Sequence, residues 1–279
     1  MNAREFLTSV AVVFSLMGAV ALLEAVIPLF VRPKATSRRR KTNLAMTTQT
    51  LLSAFALTSG VAAAAVYLPS VSPGLMSVIG LPAVAQLVLG VVAIDFAFGY
   101  AAHWSMHRWP ALWKYHRVHH SDPFVDVTTS YRTHPVENAW RHLWLFAAVW
   151  ALGIPAVAVV TFRFLSAANG ILEHANVRVK PALDAAVSLF WVTPNMHKVH
   201  HSRDPAETNS NYGNLFTLHD RLFGTFVSTE RAFAVRYGLE DVERDEIRSF
   251  GRLLVMPWRC SRSGGRRDEP ARTAREATA

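Results

Sequence analysis

All twelve histidines of this 279-residue chain lie between His103 and His219. Eight of them form three short patterns: His103-x3-His107, His116-x2-His119-His120 and His197-x2-His200-His201. On a helix, positions i and i+4 lie about 40° apart and positions i and i+3 about 60° apart, so each pattern aims its imidazoles to one side. Neutral imidazole is the commonest metal ligand and suits iron, zinc, copper or nickel. One H-x3-H occurs by chance, and His142 or His219 alone reads as a surface or hydrogen-bonded core residue. Three patterns together, with more rings than one four- to six-coordinate ion can use, point to two metals. Two hydrolytic metals are normally bridged by carboxylates, and the patterns contain none. An all-nitrogen set fits redox iron handling oxygen better, although spacing alone does not separate iron from zinc or copper.

The elements that must hold these rings are apolar. The chain is 51% hydrophobic and 18% charged. That composition excludes a disordered protein, and the single Cys260 excludes disulfides and cysteine-ligated zinc or iron–sulfur sites. Phe6 to Val31 is almost continuously apolar, interrupted by Glu24 and Pro28, and is long enough to cross about 30 Å of hydrocarbon. A basic cluster, not a small-residue cleavage site, follows it, so it reads as a retained helix and not as a signal peptide. Leu44 to Leu68 is a second span, and a third runs from Leu75, or better Leu81, to Ala102.

Arg32, Lys34, Arg38, Arg39, Arg40 and Lys41 fall between the first two spans, and short basic loops stay cytoplasmic. By parity the Pro69 to Gly74 turn is then external and His103 emerges on the cytoplasmic side, beside Arg108, Lys114 and Arg117. The formal charge of +9 thus marks membrane orientation and gives no reason to expect nucleic acid. Leu143 to Leu165, broken at Gly153-Ile154-Pro155, reads as a re-entrant hairpin. Its limbs, about a dozen to fifteen residues or roughly 18 to 23 Å each, are too short to cross, and it returns the later histidines to the same face. Trp140, Trp144, Phe146, Trp150, Phe162 and Phe164 can line a lateral lipid entry or anchor the interface.

More than histidines is patterned here. Asp95 precedes His103 by eight residues, HRVHHSDPFVDVTTSYRTHPVE runs from His116 to Glu137, EHANV begins at Glu173, TPNMHKVHHS at Thr193, and NYGNLFTLHDRLFGT spans Asn211 to Thr225. Taken together, from about Asp95 to Glu230, these segments resemble the fatty acid hydroxylase and sterol desaturase superfamily of membrane non-haem di-iron oxygenases. The resemblance implies an all-α integral-membrane bundle capped by a cytoplasmic, histidine-rich helical layer around two iron ions. It implies O2 as co-substrate and hydroxylation or desaturation of a sterol, fatty acyl or isoprenoid lipid. Residue by residue, His103, His107, His116, His119, His120, His197, His200 and His201 match the ligands, and His174 matches the lone histidine between boxes. His134, in THPVE, is carried over as a residue supporting the site or facing substrate. Where the family usually has tryptophan before aspartate, this chain has His219-Asp220.

Asp95 sits in an apolar span, where an unpaired charge is expensive. It reads either as the acceptor for the second ring N–H of a ligand histidine, fixing its tautomer, or as a buried acid of structural duty; Glu137 and Glu173 carry the same two readings. No G-x-G-x-x-G loop is present and Cys260 cannot hold a cluster. The electrons are therefore expected from a separate ferredoxin or cytochrome system. Two other classes fit part of the pattern: a zinc-dependent membrane lipid hydrolase or lyase, and a metal or haem carrier, which would place ligands along a pore and not at one face. The expected organisation is membrane helices over 1–74, a catalytic region over 75–230 and a polar segment over 231–279, disordered from about residue 257.

Overall fold

The computed structural model describes residues 3–33, 36–71, 74–243 and 245–259. Its described residues are helical, with isolated bridges Pro28–Val177 and Trp191–Phe216 and no strands. Helix α1 is Ala3–Val26, α2 Ser37–Val71, α3 Leu75–Val78 and α4 Ala83–Ile94. A π-helical segment, Asp95–Ala101, joins α4 to α5, Ala102–Arg108, and α6 is Pro110–His120. Helices α7, Pro135–Leu152, and α8, Ala156–Glu173, are joined by a short turn and pack mainly on α2 and α4, respectively. Short helices follow: α9 Pro181–Val187, α10 Pro194–His200, α11 Pro205–Thr208 and α12 Leu218–Leu222, before α13, Phe250–Arg259.

Four stretches have the length and composition to cross a membrane: 4–26, 37–68, 83–108 and 156–173. Their outer faces carry exposed Leu22, Val66, Val84, Val88, Val160 and Phe164; in water such a surface would be unfavourable, and lipid covers it without loss. Inside, Val61, Ile94, Phe98, Leu145, Val149, Val159, Phe162 and Leu215 form the main core.

Three expectations need correction. The third span does not end at Ala102 but runs on through α5, so the first histidine pattern lies within the long helix. The chain turns where expected, at Gly153, whose φ of 67° caps α7 in the left-handed region. The two limbs, however, are 18 residues each, about 27 Å at 1.5 Å per residue, and α8 is long enough to cross. Counting only uninterrupted apolar sequence missed this, because Glu137, Asn138, His142, Ser166, Asn169 and Glu173 extend the limbs with buried polar side chains. Finally, helix runs through residue 257 where a disordered tail was expected, since Leu253 and Met256 bury against Met46 and Val118. The rest of that tail, 260–279, lies outside the described residues, as do residues 72 and 73 of the expected Pro69–Gly74 turn.

The histidine-bearing end is tied together by buried polar contacts. Glu24, near the end of α1, accepts hydrogen bonds from the backbone N–H groups of Val127 (2.7 Å) and Asn176 (2.8 Å). Arg39, in the first turn of α2, donates to Asp122 (2.8 Å) and to the Phe124 carbonyl (2.7 Å), and pairs with Asp126. Of the basic run expected in a loop, Arg38 to Lys41 are therefore the start of α2, with Arg39 buried in the layer that carries the histidines; Arg32 precedes the helix and Lys34 lies outside the described residues.

Candidate metal centre

Proline and threonine fix where the ligand helices begin. Thr193 caps α10 by accepting from the Met196 N–H (3.2 Å), with Pro194 in the first turn, and Pro110 starts α6 in the same way. The histidines at the ends of these helices then meet those of α5 and the end of α8 in two groups. His103, His107, His116, His120 and His200 form one, and His119, His174, His197 and His201 the other; within each group the candidate ligand atoms lie within 4.8 Å of one another. The groups adjoin, with the rings of His120 and His201 4.6 Å apart. All nine histidines expected as ligands are thus brought together.

The tautomers show what faces inward. His103 Nδ1 lies 2.9 Å from the Tyr212 carbonyl, His200 Nδ1 2.7 Å from that of Ser210 and His174 Nδ1 2.6 Å from that of Gly170. A carbonyl can only accept, so each Nδ1 carries the proton and each Nε2 keeps a lone pair. His116 Nδ1 likewise meets the Glu137 carboxylate at 2.9 Å. The Nε2 atoms of His103 and His116 nevertheless stand 3.0 Å apart. In the second group, His174 Nε2 is 3.1 Å from His119 Nε2, 2.9 Å from His197 Nε2 and 3.3 Å from His201 Nε2.

Lone pairs at such distances repel unless a cation lies between them. Nitrogen ligands about 2.1 Å from one ion sit about 3.0 to 3.4 Å from each other in octahedral or tetrahedral sets, which is the spacing found. The donor set therefore fits a metal in each group. Burial holds the His116, His119, His120, His197 and His201 rings well below the ordinary imidazole pKa, and takes His200 to about 3 and His174 to about 4. Neutral imidazole is the metal-binding form.

The buried acids divide between the two readings given for them. Asp95 was expected to serve a ligand histidine as one of its two readings. Its carboxylate instead accepts the backbone N–H groups of Leu215 (3.0 Å) and Phe216 (3.1 Å) and lies 3.4 Å from His219 Nε2. The π-helical turn beginning at Asp95 displaces it from the His103 stripe, so it anchors the loop that carries Tyr212. His134, expected to support the site, caps α7 through Nδ1 and the Val136 N–H (3.2 Å), and its Nε2 donates to the Leu254 carbonyl (3.1 Å). His142 is held by Thr58 and the Asn138 carbonyl. His134, His142 and His219 belong to neither group. Glu137 does orient a box histidine, while Glu173 borders the second group, its Oε1 3.9 Å from His197 Nε2. Of the aromatic residues considered for lipid entry, Phe162 is buried in the core and Trp140 donates to Ser105 (3.0 Å), whereas Phe146, Trp150 and Phe164 are exposed.

Several supporting residues were not singled out beforehand. Asp220 accepts from the N–H groups of Tyr212 (2.8 Å) and Gly213 (2.7 Å), which sets the Tyr212 carbonyl that receives His103. A Cβ at Gly213 would lie 2.7 Å from the Phe216 carbonyl oxygen, so only glycine fits. Lys198, between two box histidines, donates to the Ala175 carbonyl (2.6 Å), and burial brings its pKa down to about 7. Arg141 and Arg163, charges within α7 and α8, were open to the same reasoning that singled out Asp95.

Residues 87–225 match the fatty acid hydroxylase family. The chain belongs to that family. Its relatives include the ornithine lipid hydroxylase of Rhizobium tropici, 31% identical over 158 residues, 57% of this chain and 46% of that protein. The alkylglycerol monooxygenase of Caenorhabditis elegans is 28% identical over 147 residues, 52% of this chain and 28% of its own length. That of Xenopus tropicalis is 30% identical over 154 residues, covering 54% and 32%. The matched stretch therefore spans less than half of each of these relatives. No solved structure matches the chain. The family match begins at residue 87 and so includes all nine grouped histidines of this fatty acid hydroxylase family member, while α1 and α2 lie outside it.

Proposed function

We propose that the protein is a membrane-bound, oxygen-dependent lipid hydroxylase that holds two iron ions in the two histidine groups and oxidises a C–H bond of a lipid. The observation that carries this reading is the set of Nε2 lone pairs converging at 2.9 to 3.3 Å in both groups, within an apolar helical bundle whose relatives are named as lipid hydroxylases and monooxygenases. Iron, when bound, supplies the activation of O2. Hydroxylation is preferred to desaturation because the relatives' names carry it.

The chain's own residues prepare the site. The carbonyls of Tyr212, Ser210 and Gly170 and the carboxylate of Glu137 hold ring N–H groups and turn Nε2 inward, which fixes tautomer and basicity before the metal arrives. The surrounding core of Ile94, Phe98, Phe162 and Leu215 keeps bulk water away. In this reading His103, His107, His116, His120 and His200 hold one iron and His119, His174, His197 and His201 the other. Residues 75–230 are the catalytic region, 1–74 add supporting membrane helices and 231–259 a cover. The buried Arg39 joins the basic start of α2 to the histidine layer; with the positive-inside rule, this supports a cytoplasmic site in this reading. A separate electron-transfer protein supplies two electrons per turnover.

The deciding experiment is metal analysis of the purified protein together with mass spectrometry of lipids from expressing cells grown under 18O2. Iron in the active protein and an 18O-bearing lipid that disappears with His200→Ala are expected. Zinc in place of iron, or full oxygen-dependent activity in that variant, overturns the reading.

A further inference from the structure

A partly open space of about 110 Å³ lies on the bundle side of the histidine groups, bordered by His103, His119, His174 and His197. Helix α8 lines it with Arg163, Ser166, Ala167, Gly170, Glu173 and His174. These recur at the i, i+3, i+4, i+7 spacing of one helix face, so a single stripe connects Arg163 with the metal groups. At Gly170 a Cβ would meet nothing within 4 Å, which leaves the passage open beside it.

Two arginines face this space, and their circumstances differ. Arg141 is committed, with Nε 3.2 Å from Glu137 and Nη1 3.3 Å from the Phe98 carbonyl. Arg163 lies over the same Phe98 ring, Cζ 4.8 Å from its centroid, but among the described residues it has no carboxylate partner and makes no hydrogen bond. An arginine in the middle of an apolar helix is expensive unless something answers its charge. The hydroxyl of Tyr131, lining the same space, is also buried without a partner. Together they offer a fixed cation and an O–H donor to one acceptor group.

We propose that Arg163 and Tyr131 bind the anionic group, a carboxylate or phosphate, of the lipid substrate. The inference rests on the lipid-oxygenase reading and narrows its substrate class to acidic lipids. The volume agrees, because about 110 Å³ is well below the roughly 300 Å³ of a site that encloses a whole drug-sized ligand. One polar end of a lipid enters, and the rest stays among the helices.

The test uses the iron-loaded full chain in phosphatidylcholine nanodiscs and radiolabelled palmitate, hexadecyl phosphate and hexadecanol, corrected for empty discs. At least one of the two anions should bind tenfold or more tightly than hexadecanol, and the better of the two identifies carboxylate or phosphate. Arg163→Met should abolish that preference, Arg163→Lys keep most of it, and Tyr131→Phe lower it about threefold. A preference below twofold in the wild type, or one unchanged in a folded Arg163→Met protein, overturns the proposal. If Arg163→Met does not fold, an unchanged preference in Tyr131→Phe overturns it. Because binding is read without turnover, anion preference in a protein that oxidises no lipid would refute the oxygenase reading and leave this site standing.

Discussion

His200 and His201, adjacent in the chain, face different histidine groups, their ring planes 87° apart and their centroids 5.5 Å apart. His119 and His120 divide in the same way. Consecutive helical residues point about 100° apart, so a paired histidine at a helix end serves two neighbouring sites at once. The adjacent pair in each H-x2-HH pattern thus supplies one ring to each of the two histidine groups.

This division predicts the outcome of metal analysis. His200→Ala opens the five-histidine group and should lower iron from about two per chain to about one, and His201→Ala should do the same at the four-histidine group. The double variant should hold almost none. Equal loss of both irons in each single variant, in protein that remains folded, would show one shared site.

Glu137 offers a finer test. Its carboxylate holds His116 Nδ1 at 2.9 Å and Arg141 Nε at 3.2 Å, yet it belongs to neither ligand group. Loss of such an orienting acceptor lowers metal affinity about 10- to 100-fold. Chelator titration of Glu137→Gln should therefore release one iron that much more readily and leave the second unchanged.

Much of the site was legible because its chemistry is carried by side chains at helical spacing. The nine grouped histidines are rings of one residue type, and the span lengths follow from hydropathy. The acceptors that orient the rings were hidden, since the carbonyls of Gly170, Ser210 and Tyr212 are backbone atoms that any residue supplies. For Asp95 the structure matches the second of its two readings, a buried acid of structural duty: the stripe linking it to His103 assumes an uninterrupted α-helix, and a seven-residue π-helical segment begins at Asp95 itself. The limbs of the expected hairpin were shortened on paper because a buried polar face looks, in one dimension, like a helix end.

Arg39 tests whether the histidine layer depends on α2. Its guanidinium is buried and meets two carboxylates, Asp122 and Asp126. Arginine also lowers the pKa of Asp122 against the effect of burial, which alone would raise it. Removing one partner of a buried ionic network costs about 3 to 5 kcal/mol. Arg39→Met should destabilise the protein by that order in unfolding from mixed micelles. Arg38→Met, at an exposed neighbour, should change stability by less than about 0.5 kcal/mol.

His134 gives a prediction with a sign. Burial lowers its pKa below the ordinary imidazole value, partly opposed by the bond to the Leu254 carbonyl. Its Nδ1 must stay unprotonated to accept the Val136 N–H, and its Nε2 ties α13 to the start of α7. Between the folded pKa and about 6.5, the unfolded chain therefore binds more protons than the folded one. Stability is full above about pH 6.5 and falls as pH drops through that window, by at most about 1.4 kcal/mol per unit for one proton. His134→Asn keeps a good helix cap but has nothing to titrate, so it should remove this part of the acid sensitivity, measured by unfolding between pH 5 and 8. The same variant should keep its iron and turn over within about twofold of the wild type. If it retains fold and iron but loses more than tenfold in turnover, His134 touches the substrate and its capping role is secondary.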